Sequence, residues 1–338
     1  QVVLRSGAAT IVGALERCDR GRAAMVVVPG DEFRYGGAES SDARVIKSLL
    51  NLRAWRERKA PQRPFGVVAE VIDPDKEPAA AHAYGGSIEI VPGDAVITRL
   101  LAQSILDPRL AGVFLELLTH NEGCSLFVRA ALEFAGHHPT MIDRPGDSVV
   151  MLGAVRPTPH GKIAILNPPQ DFVLSSEDRL IYLARYFDDF SAVATTARPE
   201  AGPDGGNREE KRSRRVLVLG WSAQLAQLIE DLVETGVSAL ALTLVSRTPL
   251  EERRSWFVGR DFPADRVSIE HVEADALASG TLTELDLAGP DTVLIATTPN
   301  RESAEESDAR ALTAYELLRA ERDRQCAPGG KRPAIILE

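Results

Sequence analysis

The sequence has few cysteines, no excess of basic residues and no long apolar run. The 338 residues include 39 lysines and arginines against 49 aspartates and glutamates, a net charge of −10. A nucleic-acid groove needs a basic excess, so we expect no nucleic-acid partner. The longest apolar runs, such as Met25–Val28 and Ser148–Val155, are far shorter than the ~20 residues that cross a bilayer. We therefore expect the chain, as given, to be soluble.

The cysteines also exclude a class of protein. Cys18, Cys124 and Cys326 are widely separated and form neither a disulfide framework nor a metal-binding spacing. This usage favours a reducing compartment.

Both ends of the chain resemble interrupted strands. Val2–Leu4 resembles the middle of a strand without the segment that would lead into it, and Pro333–Glu338 resembles a strand without the segment that would follow it. We expect the chain to be a fragment of a longer protein, cut within structure at both ends.

The sequence contains an internal repeat. Ser41-Asp42-Ala43-Arg44 recurs 266 residues later as Ser307-Asp308-Ala309-Arg310. Around each tetrapeptide the same features follow in order: an apolar run, an acidic loop, a helical stretch and a second apolar run. This conserved order predicts a duplication. We call the part up to Glu70 the first copy and Arg215–Glu338 the second copy.

The second copy alternates short apolar strands with helical segments. The spacing predicts a parallel sheet covered on both faces, the doubly wound α/β fold. The predicted strands are Arg215–Gly220, Ala239–Val245, Val267–Val272 and Asp291–Thr297, with helices over Ser222–Glu234 and Glu251–Val258. We expect the first copy to begin, at Val2–Leu4, with the element that corresponds to the third strand of the second copy.

Different material lies between the copies. Val91–Leu118 predicts one or two helices with a break at Asp107-Pro108, and short apolar segments between residues 148 and 184 predict a small β-rich module. We expect four segments: residues 1–120 form a first α/β lobe with connecting helices, 121–190 a small β-rich lobe, 191–213 a flexible linker, and 214–338 a second α/β lobe.

The turn after the first strand of the second copy is where a doubly wound sheet binds its ligand. The residues expected to line this crevice are Gly220, Trp221 and Ser222. Only the first glycine of a Gly-x-Gly-x-x-Gly turn is present, and Ser246-Arg247 stands where a ribose-binding acid is expected. The second copy is therefore not expected to bind NAD.

The loop before the first helix is rich in carboxylates. Asp31, Glu32, Glu39 and Asp42 are candidate metal ligands, because Ca²⁺ prefers several such oxygens. The alternative is structural: Ser40 or Ser41 caps the helix, Asp42 stabilises its first turn, and the other carboxylates are solvated.

No catalytic constellation is recognisable. The sequence has no Gly-x-Ser-x-Gly elbow and no His-Glu-x-x-His, and His137-His138 has no spaced partner ligand. We do not expect an enzyme.

The order of several motifs resembles the cytosolic region of the Castor/Pollux ion-channel family. The motifs that carry the resemblance are Arg5-Ser6-Gly7, Ser41-Asp42-Ala43-Arg44, Gly93–Ile97, Leu106–Ala111, Gly161–Pro168, Gly220-Trp221 and Glu306–Arg310. They span nearly the whole chain. High alanine and arginine usage favours a bacterial member.

The resemblance implies tandem RCK domains (regulators of K⁺ conductance), with Rossmann-like lobes and a small carboxyl lobe. It implies a homotetrameric gating ring on the cytoplasmic face of a plasma membrane, linked to an upstream pore domain in a cation channel, and Ca²⁺ regulation. Ser175–Asp178 before Arg179–Leu183 resembles the turn before the last RCK strand, with Glu177 in place of a glycine. Two alternatives stay open: a nucleotide-binding regulatory subunit of a K⁺-uptake system, and an NAD-dependent oxidoreductase.

Overall fold

The structure is a computed structural model of the whole chain. It describes residues 7–11, 13–14, 17, 23–30, 37–59, 65–119, 123–139, 142–143, 149–158, 161–190, 193–194, 212–222, 224–260, 262–278, 280–296, 304–327 and 329–338. Among these residues, no helix is both long and apolar enough to span a membrane. The first predicted strand, Val2–Leu4, lies outside them.

The chain divides into two compact units. Gln1–Pro108 together with Glu210–Glu338 forms one unit, and Arg109–Glu209 forms the other. We call them the α/β unit and the small unit. The α/β unit contains both copies of the repeat, and the four sequence-based segments remain a prediction.

The first copy and the segment after it contribute a three-stranded parallel sheet. The strands are β1 (Met25–Val28), β2 (Gly66–Val71) and β3 (Glu89–Pro92), in the order β1-β2-β3. Helix α1 (Ala38–Lys59) connects β1 to β2, and α2 (Glu77–Tyr84) connects β2 to β3. Leu49, Leu52 and Trp55 of α1 are buried against Val67 and Ala69 of β2, which fixes the helix on the sheet.

The second copy forms a five-stranded, all-parallel sheet. Its strands are β10 (Arg212–Leu219), β11 (Val237–Ser246), β12 (Val267–Glu273), β13 (Thr292–Ile295) and β14 (Ala334–Leu337). Its helices are α5 (Leu225–Glu234), α6 (Leu250–Ser255), α7 (Thr281–Glu284) and α8 (Ala304–Gln325). The strand order is β12-β11-β10-β13-β14, and apolar clusters cover both faces. The doubly wound α/β fold is confirmed.

The two copies have matching elements. Helices α1 and α8 are both 22 residues long, and each carries the Ser-Asp-Ala-Arg tetrapeptide near its start. Each helix connects two adjacent parallel strands, β1 to β2 and β13 to β14. The repeat is therefore a repeat of structure as well as of sequence.

The helix that follows β3 joins the two copies within the α/β unit. This helix, α3 (Gly93–Leu106), buries Ala102 and Ile105 in one apolar cluster with Leu225 and Leu228 of α5. At the start of α3, Asp94 Oδ1 accepts a hydrogen bond of 2.6 Å from Gln224 Nε2. Helix α3 thus belongs to the core of the second copy, whereas β1, β2 and α1 form an apolar cluster of their own.

The small unit is β-rich, as the sequence predicts. It begins with α4 (Leu110–Leu118), after the predicted break at Asp107-Pro108. Its antiparallel sheet has the order β4-β8-β6-β7, formed by β4 (Ser125–Ala130), β6 (Val149–Thr158), β7 (Gly161–Leu166) and β8 (Arg179–Ala184). A short pair joins β5 (Ile142–Asp143) to β9 (Val193–Ala194), so the predicted linker contributes one strand.

Candidate ligand crevice

A crevice opens where the strand order of the second copy reverses. Strand β10 lies between β11 and β13, whose connections run to opposite sides of the sheet. The carboxyl ends of β10 and β13 therefore flank a switch point, the usual ligand site of such sheets. A cavity of about 410 Å³ lies here, lined by Gly220, Ala296 and the first turns of α8.

At Gly220, two backbone segments lie close together beside this crevice. It has a φ of +109°, and a Cβ at this position would lie 2.1 Å from the carbonyl oxygen of Ala296. Both facts require glycine. Of the three residues predicted to line the crevice, Gly220 does so.

Trp221 and Ser222 lie elsewhere. The indole of Trp221 is buried in the core beside α5, with its ring edge-on to Phe257 at a centroid distance of 5.7 Å. Ser222 is also buried, and its Oγ accepts a hydrogen bond of 3.2 Å from the backbone N–H of Gln224. The indole, predicted from the sequence to line the crevice, instead anchors the turn to the core.

The end of β11 offers a cation where a dinucleotide site would hold a carboxylate. Ser246 is buried and accepts a hydrogen bond from the backbone N–H of Thr248 at 3.1 Å. The next residue, Arg247, lines the cavity. This strand end therefore provides no acid for a ribose hydroxyl.

Three charged side chains line the described part of the cavity. Arg310 Nη2 lies 2.9 Å from Asp275 Oδ1, and Arg247 Nε lies 3.7 Å from Asp275 Oδ2. Burial alone raises the pKa of Asp275, but hydrogen bonds from the Leu277 N–H and from Arg310, with the charge of Arg247, lower it below its ordinary value. Asp275 is thus a carboxylate at neutral pH and forms ion pairs with both arginines.

The first copy has a smaller cavity at the matching position. Its volume is about 220 Å³, and it is lined by the end of β1, the first turns of α1 and residues 7–10. Ser41 and Arg44 line it, and they match Ser307 and Arg310 of the larger cavity. The repeated tetrapeptide therefore occupies the same place in both crevices.

The predicted metal loop is only partly described. Asp31 and Glu32 lie outside the described residues, and Glu39 is exposed in the first turn of α1. Asp42 is fully buried, and its two carboxylate oxygens accept hydrogen bonds from the backbone N–H groups of Ile72 (2.8 Å) and Asp73 (3.1 Å). Asp42 therefore fastens α1 to the turn after β2.

One further carboxylate lies at this edge of the sheet. Glu70 Oε2 accepts a hydrogen bond of 2.9 Å from the backbone N–H of Gly30, at the end of the described part of that loop. In the sequence, its one signal is that it is a carboxylate within the apolar run that forms β2. Within the described ranges, no three His, Cys, Asp or Glu side chains form a metal-binding group. The metal site remains a prediction.

The fold matches that of a solved gating ring. The human SLO3 gating ring superposes with a TM-score of 0.60 over 91% of this chain and 62% of that structure, at 14% sequence identity. At this identity the likeness shows the fold alone. The chain thus shares its fold, parallel α/β sheets with a small antiparallel sheet, with that structure.

Curated relatives identify a more particular group. The chain is 25% identical to the ion channel CASTOR of Lotus japonicus over 324 residues, 26% to the probable ion channel POLLUX of Arabidopsis thaliana over 327, and 28% to the ion channel POLLUX of Lotus japonicus over 330. Each match covers 94% of this chain and 37%, 38% and 34% of the relative, respectively. No protein-family model matches the chain.

These matches confirm the resemblance found in the sequence. The chain is a distant homologue of part of the Castor/Pollux ion channels, and it spans about a third of the length of the curated relatives it matches. The relatives are ion channels and not enzymes, which agrees with the absence of a catalytic motif from the sequence.

Proposed function

We propose that this chain is the cytosolic, ligand-sensing gating-ring region of a tetrameric cation channel. The observation that carries the proposal is a match to ion channels over 94% of the chain, joined to a gating-ring fold. The parent protein would have its pore domain upstream, in a bacterial plasma membrane. Four copies of the chain would form the ring.

The α/β unit is suited to transmitting a signal between its two copies. Helix α3 leaves the first sheet at β3 and buries Ala102 and Ile105 in the core of the second copy. Movement at either crevice would reach the other copy through packed side chains. Allosteric coupling requires such a shared element, together with a ligand that favours one of its two states.

Ca²⁺ is the proposed regulatory ligand, bound by the acidic loop between β1 and α1 together with the first turn of α1. Support comes from the carboxylates Asp31, Glu32 and Glu39 and from Glu70, which lies next to the start of the loop. Asp42 contributes to the fold of this edge, so its replacement would confuse binding with stability.

A melting experiment tests the proposed ligand. Ca²⁺ should raise the melting temperature of the chain, because a ligand bound only by the folded state adds about 2.7 kcal/mol at a hundred times its Kd. The triple variant D31N/E32Q/E39Q should lose this rise. The matched control E305Q/D308N alters exposed carboxylates at the start of α8 in the second copy and should keep it. An equal rise in the triple variant would contradict a site in this loop.

The reading frame of the parent gene distinguishes this proposal from a regulatory subunit that is encoded separately from its pore. We expect upstream sequence that encodes apolar spans of ~20 residues. A complete reading frame without such a span would favour the K⁺-uptake subunit instead.

A further inference from the structure

The small unit has a strand with an open edge. Strand β4 lies at one edge of the sheet β4-β8-β6-β7 and pairs with β8 alone among the described strands. The N–H of Ala131 donates to the carbonyl oxygen of Asp178 at 3.0 Å, and antiparallel strands alternate such bonded pairs with unbonded ones. Leu126, Val128 and Ala130 fall on the unbonded pairs. Their N–H and C=O groups therefore face away from β8, toward the open edge.

This edge lacks the features that commonly keep an edge strand from pairing. Such strands often carry lysine or proline, or contain a bulge. The segment Ser125–Ala130 has neither residue, and its register with β8 is unbroken. Leu126 and Val128 are exposed, whereas Phe127 between them packs on the apolar core of the unit. A further strand at this edge would place a side chain next to each exposed apolar residue.

A groove of about 600 Å³ follows the edge. It is lined by residues of β4 and β8, by the turn after β4 and by Phe187. The ring of Phe187 is half-exposed and packs edge-on against Phe127 at a centroid distance of 5.9 Å. Leu132, also in the lining, is 68% exposed. These side chains extend the apolar surface beyond β4 itself.

The charged side chains of the groove favour an acidic partner. Arg129 Nη2 lies 3.4 Å from Glu133 Oε1. Arg179 has no carboxylate partner in the part of the chain that the structure describes, and its Nη2 donates to the carbonyl oxygen of Val128 at 3.4 Å. The acidic pair Asp188-Asp189 lies outside the lining. Two guanidinium groups against one carboxylate thus line the groove, and a carboxylate of a bound peptide would pair with Arg179.

We propose that the open edge of β4 binds an extended acidic segment of a partner protein by β-strand addition. Backbone hydrogen bonds to Leu126, Val128 and Ala130 would provide affinity, and the side chains of the added strand would provide selectivity. Because side chains alternate along a strand, apolar residues would lie beside Leu126 and Val128, and acidic residues would lie beside Arg129. An acidic residue next to Ala130 would reach Arg179, which pairs with Ala130 across the sheet.

The proposal is independent of the channel function, because binding is measured on this chain alone. The probe is a fluorescent, end-capped decapeptide in which valine alternates with glutamate, and its anisotropy should show saturable binding to the full chain. Two further peptides carry N-methyl groups on one or the other set of alternate residues. The one that loses its edge hydrogen bonds should bind at least about tenfold more weakly. A peptide with lysine in place of glutamate should also bind at least about tenfold more weakly.

Variants of the edge locate the site. V128P removes an N–H that faces the open edge and leaves the bonds between β4 and β8 in place, since proline is tolerated on the free side of an edge strand. It should weaken binding by at least about tenfold. The matched control A164P places proline at an outward-facing position of the opposite edge strand, β7, and should bind as the wild type does. R179E reverses the charge of the arginine without a carboxylate partner and should weaken binding by about fivefold or more.

Folding and self-association are controlled separately. Circular dichroism shows whether V128P is folded; if it is not, the N-methylated peptides and R179E decide. Light scattering shows whether a second copy of the chain occupies the edge instead. The proposal is overturned if the valine–glutamate peptide does not bind or if both N-methylated peptides bind as tightly. It is also overturned if folded V128P binds as the wild type does, or if the wild type is an oligomer that V128P dissociates.

Discussion

At the scale of single residues, the small unit contains a buried aspartate that is paired with a partly exposed arginine. The carboxylate of Asp178 has no exposed surface, and Arg156 binds it through Nε at 3.0 Å and Nη2 at 2.6 Å. The backbone N–H of Ser175 donates a further hydrogen bond of 2.8 Å. Burial alone raises the pKa of Asp178, but these hydrogen bonds and the charge of Arg156 lower it below the ordinary value.

Replacing this aspartate should destabilise the small unit in a pH-dependent way. D178N should cost roughly 1.5–3 kcal/mol near neutral pH, the range for hydrogen bonds to charged groups. Because the folded pKa is lowered, the carboxylate stabilises the fold above its unfolded pKa of about 3.9 and loses this effect as pH falls through the folded pKa. Urea unfolding from pH 7 to pH 3 should therefore show the wild type approaching D178N in acid. A difference that stays constant over this range would refute the assignment.

Gly220 allows a second test at this scale, with a matched glycine elsewhere. G220A should destabilise the α/β unit by more than about 1–3 kcal/mol, because a clash with the Ala296 carbonyl adds to the backbone strain. Gly259 has a φ of +83° but no atom within 4 Å of its Cβ position. G259A should thus cost only the strain, about 1–2 kcal/mol. Equal losses of unfolding free energy in the two variants would show that the close approach at Gly220 is unimportant.

At the scale of elements, matching positions in the two copies have different roles. Asp42 in α1 is buried and accepts two backbone hydrogen bonds, whereas Asp308 in α8 is exposed. The tetrapeptide thus keeps its sequence while one of its side chains changes function. Ser41 and Ser307 remain buried in both copies.

This difference predicts unequal effects of the same substitution. D42N should lower the free energy of unfolding by roughly 1–3 kcal/mol, because its amide places a donor against a backbone N–H. D308N should stay within about 0.5 kcal/mol of the wild type. Thermal unfolding of the two variants, each without added metal, measures both. A stable D42N would indicate that the turn after β2 does not need this carboxylate.

The sequence predicts the elements better than the directions of their side chains. Strands β10 and β11 follow from apolar runs, and the break between α3 and α4 follows from Asp107-Pro108, because these signals are local. The burial of Trp221 against Phe257 depends on tertiary packing. The sequence alone therefore places this indole in the crevice, where the structure does not. The pairing of Asp275 with Arg247 and Arg310 joins three separate elements, and no spacing in the sequence indicates it.

At the scale of the whole molecule, helix α3 connects the sheet of the first copy to the core of the second copy. Both copies have a crevice at the carboxyl ends of their strands, and α3, which follows the first sheet, packs on α5 of the second copy. Under the proposed function, a ligand bound at one crevice would therefore act on both sheets through α3. This arrangement suits a regulatory region that converts binding into movement.

The most direct test of the central claim is the cation current of the full-length gene product in a planar bilayer. The comparison is the same protein from which the 338 residues of this chain have been deleted. The account predicts a current in the intact protein and a changed open probability when this region is removed. The intact protein should also respond to Ca²⁺ on the side of the membrane that carries the region. Absence of any current, or the same open probability with and without the region, would contradict it.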